Sequence, residues 1–203
     1  MKLYYKPGAC SMASHIVLTE IGAPFETEAV DTEAKRTASG ADFLALNPKG
    51  KVPVLQLGDE TLTEGPAILQ FLADSAGRAD LIPRPGTLER ARVAEVLNYT
   101  GTELHIAFGP LFNPAADDTM REAARRAVAA KLAWLEARLA DGRGYLTGSA
   151  FTVADAYAFV VANWANFTGI ELSAWPHLAG FMRRVAARPA VQRVLRAEGL
   201  VAA

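Results

Sequence analysis

The chain has 203 residues, a net charge of -1, 51% hydrophobic residues and 21% charged residues. That mixture supplies ample apolar material for a packed core and excludes a disordered chain. The balanced charge gives no electrostatic reason to expect nucleic acid or an anionic membrane as partner.

The opening residues run directly into a strand-like pattern and a turn, without an apolar leader segment, so no secretory signal is expected. The longest apolar run, 154–165, is interrupted by Asp155 and Asn163 and falls short of the ~20 residues that span a bilayer. The single cysteine, Cys10, cannot form an internal disulfide, and a lone thiol suits a reducing, cytoplasmic setting.

In chain order, Lys2–Tyr5 reads as a strand and Lys6-Pro7-Gly8 as a turn. Met12, Ile16, Val17 and Ile21 then recur at helical spacing, and Gly22 closes that helix. A second strand is expected over 25–31, a short helix over 39–46, a third strand over 53–57, a turn at Gly58-Asp59-Glu60 and a fourth strand at Thr61-Leu62. A helix over 65–76 buries Ile68, Leu69, Leu72 and Ala73. The order is βαβαββα.

Residues 76–87 hold two prolines and two glycines and read as a linker. Beyond it the chain is rich in Ala, Leu and Arg at helical period, with helices expected near 87–109, 118–140, 152–167, 175–187 and 189–197. Two composition regimes predict two domains, 1–80 and 87–203. Thr152-Val153-Ala154-Asp155 has the form of a helix N-terminal capping box, which makes Asp155 a folding device rather than a catalytic acid.

Three stretches carry chemistry. Cys10 falls at the start of a helix, where unpaired N–H groups and the helix dipole favour an anion, so its thiol is expected to ionise more readily than a free cysteine. The Ser11 hydroxyl is placed to hydrogen-bond the sulfur. Alanine at position 13 removes the second thiol of a dithiol motif, so a disulfide cycle would need an external thiol. Pro53 opens a strand; with a cis bond before it, Val52 would turn its backbone groups outward, ready for an added peptide strand. Thr63-Glu64-Gly65-Pro66 precedes a helix and pairs an anion site with a carboxylate, which suits a ligand carrying both α-amino and α-carboxylate groups.

Together MKLYYKPGACSMASHIVL (1–18), NPKGKVPVLQL (47–57), LTEGPAILQFLAD (62–74) and FTVADAYAF (151–159) resemble the glutathione transferases, the bacterial beta class above all, because cysteine stands near residue 10. The resemblance covers nearly the whole chain. It implies a thioredoxin-like N-terminal domain, an all-helical C-terminal domain and a homodimer. It implies that glutathione is the co-substrate, with no metal, and that a hydrophobic electrophile is the second substrate. It also implies a cis Val52-Pro53 bond.

The resemblance further assigns Cys10, Ser11 and His105 to catalysis. Ala9, Cys10, Lys35, Lys51, Val52, Pro53, Glu64, Gly65, Asn98, Thr102, Glu103 and His105 would hold glutathione, the segment from Asn98 to His105 partly from a neighbouring subunit. Tyr5, Phe108, Phe112 and Trp164 would line the electrophile site. The chain departs from the family pattern at Gly65, where many members carry serine, and at Ile106, where close relatives carry lysine. Taken alone, Lys35 reads as solvated surface, and His105 and Trp164 as ordinary buried side chains. Three functions fit: conjugation of glutathione to electrophiles; thiol-disulfide exchange or peroxide reduction through a Cys10 mixed disulfide; and binding of hydrophobic ligands without turnover.

Overall fold

The computed structural model describes residues 1–201. The chain divides into two compact units, one of 1–82 with the residues from 187 onward and one of 83–186.

The first unit holds a five-stranded sheet in the order β3-β2-β1-β4-β5, from β1 (Lys2–Tyr5), β2 (Glu26–Asp31), β3 (Arg36–Thr37), β4 (Val54–Leu57) and β5 (Glu60–Thr63). β1 and β2 run parallel, joined through α1 (Met12–Ile21), and every other pair is antiparallel. Between β3 and β4 lies α2 (Phe43–Leu46), and α3 (Gly65–Ser75) follows β5. This is the thioredoxin-like arrangement.

The period-2 alternation of strands explains the two-sided packing. Tyr4 pairs with Val54 across β1 and β4, and both join Val30 and Phe43 in one buried cluster. Leu3 and Leu55, the next pair along, therefore stand on the opposite face and are fully buried. Each such side chain contributes about 1.5–3 kcal/mol by leaving water. α1 ends where Gly22 takes the left-handed φ of 77° and donates its N–H to Leu18, a conformation that costs glycine nothing.

Details of this unit differ from the sequence expectation. β3 adds a second edge strand that two residues, Arg36 and Thr37, are too few to announce. The C-terminal segment was expected in the helical domain, yet α11 (Pro189–Ala197) packs against α1, within the first unit. Its buried stripe of Ala190, Val191, Val194 and Leu195 accounts for this. Residues 202–203 of the expected second domain lie outside the described residues.

The second unit is all helix: α4 (Leu88–Tyr99), a π turn (Thr100–Leu104), α5 (His105–Ala107), α6 (Gly109–Phe112), α7 (Asp118–Leu139), α8 (Val153–Asn163), α9 (Ala165–Thr168), a 3₁₀ turn (Leu172–Ala174) and α10 (Pro176–Ala186). The helix expected over 87–109 is thus broken, first by the π turn that contains Gly101 and then at Gly109-Pro110. The capping box is present: the Asp155 carboxylate takes the N–H and hydroxyl of Thr152, each at 2.8 Å, and the Leu146 N–H at 2.8 Å. No helix among the described residues is long and apolar enough to cross a membrane.

Candidate functional site

In the first unit the turn from Lys6 to Ser11 carries the cysteine. The Ala9 N–H donates to the Lys6 carbonyl, and Ser11 bridges the turn: its buried hydroxyl accepts the Lys6 N–H at 3.1 Å and donates to the Lys6 carbonyl at 3.3 Å. Here the structure corrects the sequence expectation. The one proton of that hydroxyl is spent on backbone, so Ser11 shapes the turn instead of donating to sulfur through its side chain. Its backbone N–H, with that of Cys10, is what favours a negative sulfur.

The expected ease of ionisation at Cys10 is also corrected. Burial pushes the thiol up to about 11, outweighing those two N–H groups and the nearby Lys51, while Glu64 adds to the rise. Cys10 precedes Ser11, the residue that caps α1, so it stands just outside the helix, where the dipole has its weaker end effect. As a neutral thiol it points at the Val52 carbonyl, with sulfur and oxygen 3.5 Å apart.

The Val52-Pro53 peptide is cis. The Val52 N–H donates to no described residue, which leaves it open beside the cysteine. Pro53 in turn lies against the start of α3: a side chain at Gly65 would meet the Pro53 ring at 4.0 Å. Val52, Pro53 and Gly65 are therefore brought together.

Glu64 stands at the mouth of α3 with φ 70° and ψ 110°, a strained conformation for a residue with a side chain. Its carboxylate is largely exposed and pairs with Lys49 at 2.6 Å, and Lys49 also reaches the Thr63 hydroxyl at 2.8 Å. Lys35, likewise at positive φ of 56°, folds its ammonium onto the Gly50 carbonyl at 3.1 Å. That contact draws it to the loop that also carries Lys51, whose carbonyl is held by the Asn47 amide at 2.7 Å.

Tyr5 is half-buried. Its ring lies 5.7 Å from that of His15, and burial together with the Glu198 charge raises its phenol above the ordinary value. His15 pairs with Glu198 at 2.9 Å, and Glu198 also accepts the Gly8 N–H at 2.9 Å. No spacing announces this trio, because Glu198 lies 183 residues beyond His15.

In the second unit Trp164 is the hub of an aromatic group. His105, Phe108 and Phe112 all meet it edge to face, at 4.8, 5.6 and 5.4 Å between ring centroids, a favoured geometry for aromatic pairs. Phe112 is exposed while Phe108 is fully buried, so Phe108 backs the group without offering surface. His105 Nδ1 lies 2.9 Å from the Tyr157 hydroxyl, a partner that sequence reading missed although Tyr157 sits inside the FTVADAYAF stretch. Asn98, Thr102 and Glu103 are exposed. The Thr102 hydroxyl bonds the Asn98 carbonyl, and Glu103 pairs with Lys131. Among the described residues no group of three or more His, Cys, Asp or Glu gathers to hold a metal ion.

Known proteins resemble the chain in sequence and in fold. The family described as "Glutathione S-transferase, N-terminal domain" matches residues 1–74, and "Glutathione S-transferase, C-terminal domain" matches 99–189. Glutathione S-transferase GstA of Escherichia coli O157:H7 is 46% identical over 201 residues, covering 98% of this chain and 100% of that protein. A bacterial beta class glutathione S-transferase of Sphingomonas chungbukensis is 48% identical with a TM-score of 0.95, covering 99% of this chain and 100% of that one. A sphingomonad glutathione S-transferase solved with glutathione is 47% identical with a TM-score of 0.94, again covering 99% and 100%.

Proposed function

The chain belongs to the glutathione S-transferase family, and we propose that it joins reduced glutathione to hydrophobic electrophiles with Cys10 acting as a neutral S–H donor beside the glutathione sulfur. The observation that carries this reading is the pairing of Cys10 with Val52 across the cis Val52-Pro53 peptide.

The open Val52 N–H and the Val52 carbonyl form one short strand edge, and the cysteinyl backbone of glutathione pairs with it in the manner of strand addition. The γ-glutamyl end meets the Glu64 carboxylate with its ammonium and the Gly65 N–H with its carboxylate. Lys35 and Lys51 supply cations for the remaining carboxylate, with Ala9 and Pro53 as walls. The glutathione sulfur then lies near Cys10. The Cys10 and Ser11 N–H groups and the Cys10 S–H stabilise it as a thiolate, as preformed dipoles do in acyl-transfer sites. The glutathione thiol gives up its proton to solvent, the thiolate attacks the electrophilic carbon, a C–S bond forms, and the leaving group departs with its electron pair. Cys10 keeps its proton throughout.

A mixed-disulfide cycle needs an ionised Cys10, and a thiol pushed up to about 11 disfavours it near neutral pH. In the second unit, His105 acts in catalysis, and Phe112 and Trp164 offer an aromatic wall to the electrophile, with Phe108 behind them. Asn98, Thr102 and Glu103 serve the glutathione site of a partner copy.

That last assignment makes the protein a homodimer. Exposed Leu88 and Met120, on α4 and α7, support an interface there; sedimentation at micromolar concentration is expected to give a dimer, and a monomer overturns the shared site. A free thiol suits the reducing cytoplasm. The direct test of function is turnover of a chloronitroaromatic compound. The reading predicts a rate that requires glutathione, and its absence from folded protein overturns conjugation.

A further inference from the structure

His105 owes its place to an irregularity in its helix. Val96, Thr100, Leu104 and Phe108 are all fully buried, and they recur every four residues. A regular α-helix turns about 100° per residue, so that spacing drifts by about 40° per step and about 120° over the run. The π turn absorbs the drift. Its i→i+5 bonding winds the chain more widely, as in the bond from the His105 N–H to the Thr100 carbonyl. The buried row thus stays on one side, and His105, next to buried Leu104, begins α5 beside α8.

On α8 one hydroxyl receives it. Tyr157 is buried, with 4% of its surface exposed, and its hydroxyl lies 2.9 Å from His105 Nδ1. The imidazole is also held edge to face against Trp164 at 76°. Tyr157 itself stands on a fixed support. Two residues before it, Asp155 ties the start of α8 to the Thr152 and Leu146 backbone. A site residue gains precision when its neighbours lock its rotamer in this way.

We propose that Tyr157 is a positioning residue for His105, its hydroxyl fixing the orientation of the imidazole at the register set by the π turn. This rests on the reading in which His105 acts in catalysis. Tyr157 touches neither glutathione nor the electrophile in this account and acts through His105 alone. The hydrogen bond holds Nδ1 against α8 and leaves Nε2, the other ring nitrogen, with one defined direction.

The test is a cycle of Tyr157→Phe, His105→Ala and the double variant, with kcat and KM measured for glutathione and a chloronitroaromatic compound. Tyr157→Phe is expected to lower kcat about three- to ten-fold, the scale of one lost hydrogen bond, with KM for glutathione unchanged. In the His105→Ala background it is expected to change nothing further. In ¹⁵N NMR of the imidazole, the native enzyme should show a hydrogen-bonded shift at His105 Nδ1 that Tyr157→Phe abolishes, a readout that reports even if the variant is less stable. Native kcat in Tyr157→Phe, alongside a loss in His105→Ala, overturns the positioning role alone. Equal losses from Tyr157→Phe with and without His105 also overturn it. An unchanged kcat in His105→Ala overturns the underlying reading of His105 and this proposal with it.

Discussion

Glu198 reaches back 183 residues to His15, its Oε1 2.9 Å from Nδ1, while its second oxygen holds the Gly8 N–H at 2.9 Å. Both side chains are almost wholly inaccessible. The last helix of the chain therefore clamps the turn on which Cys10 sits, and Leu200 closes over Gly8, where an added Cβ would meet it at 3.5 Å.

Removing one member of a buried hydrogen-bonded pair leaves the other unsatisfied, at about 1–3 kcal/mol. Glu198→Ala is expected to lower urea-unfolding stability by about that amount and to raise KM for glutathione as the Lys6–Ser11 turn loosens. An unchanged unfolding midpoint contradicts the clamp.

Glu64 bears positive φ with a full side chain, a conformation that costs about 1–3 kcal/mol. Glycine adopts it freely. Glu64→Gly should therefore raise Tm by a few degrees, the shift that about 1 kcal/mol produces in a chain of this size, while KM for glutathione rises. A lower Tm means that the strain is absent.

Lys49 occupies the Glu64 carboxylate in the free protein, where the account places the glutathione ammonium. An exposed pair of this kind is worth about 1 kcal/mol at most, so Lys49→Met should lower KM for glutathione by up to about five-fold. The gain should shrink at high salt, which screens the native pair. A higher KM shows instead that Lys49 helps to bind glutathione.

Much of the fold was legible because its signals are local. Gly22 announces the end of α1, Thr152 and Asp155 the start of α8, and the Leu and Ala spacing of 65–75 its buried face. The region around Cys10, Val52-Pro53 and Glu64-Gly65 was legible as motifs. What failed depends on distance or on burial. No spacing connects His15 with Glu198, so α11 was assigned to the wrong unit. The Ser11 hydroxyl was assigned to sulfur because its bonds to Lys6 exist only once the turn has closed. The Cys10 thiol was expected to ionise early because a helix start is visible in sequence and desolvation is not. The π turn escaped notice because the four-residue spacing of Val96, Thr100, Leu104 and Phe108 passes for an ordinary helix until the burial of all four is known.

Because burial raises the Cys10 thiol from the usual cysteine range to about 11, the folded protein holds its proton where the unfolded chain has lost it. The stabilising contribution is complete below about pH 8.5 and disappears as pH rises through 11, so stability should fall across that alkaline window. Alkylation of Cys10 by iodoacetamide should be slow at pH 7 and accelerate only above about pH 10. Rapid alkylation at pH 7 contradicts a neutral thiol.

The most direct test of the central claim is conjugation of glutathione to a chloronitroaromatic compound by Cys10→Ala. If Cys10 donates one weak hydrogen bond to the glutathione thiolate, kcat/KM should fall about ten-fold and no further. Complete loss of conjugation in a folded Cys10→Ala protein contradicts the account, because one lost hydrogen bond does not abolish turnover.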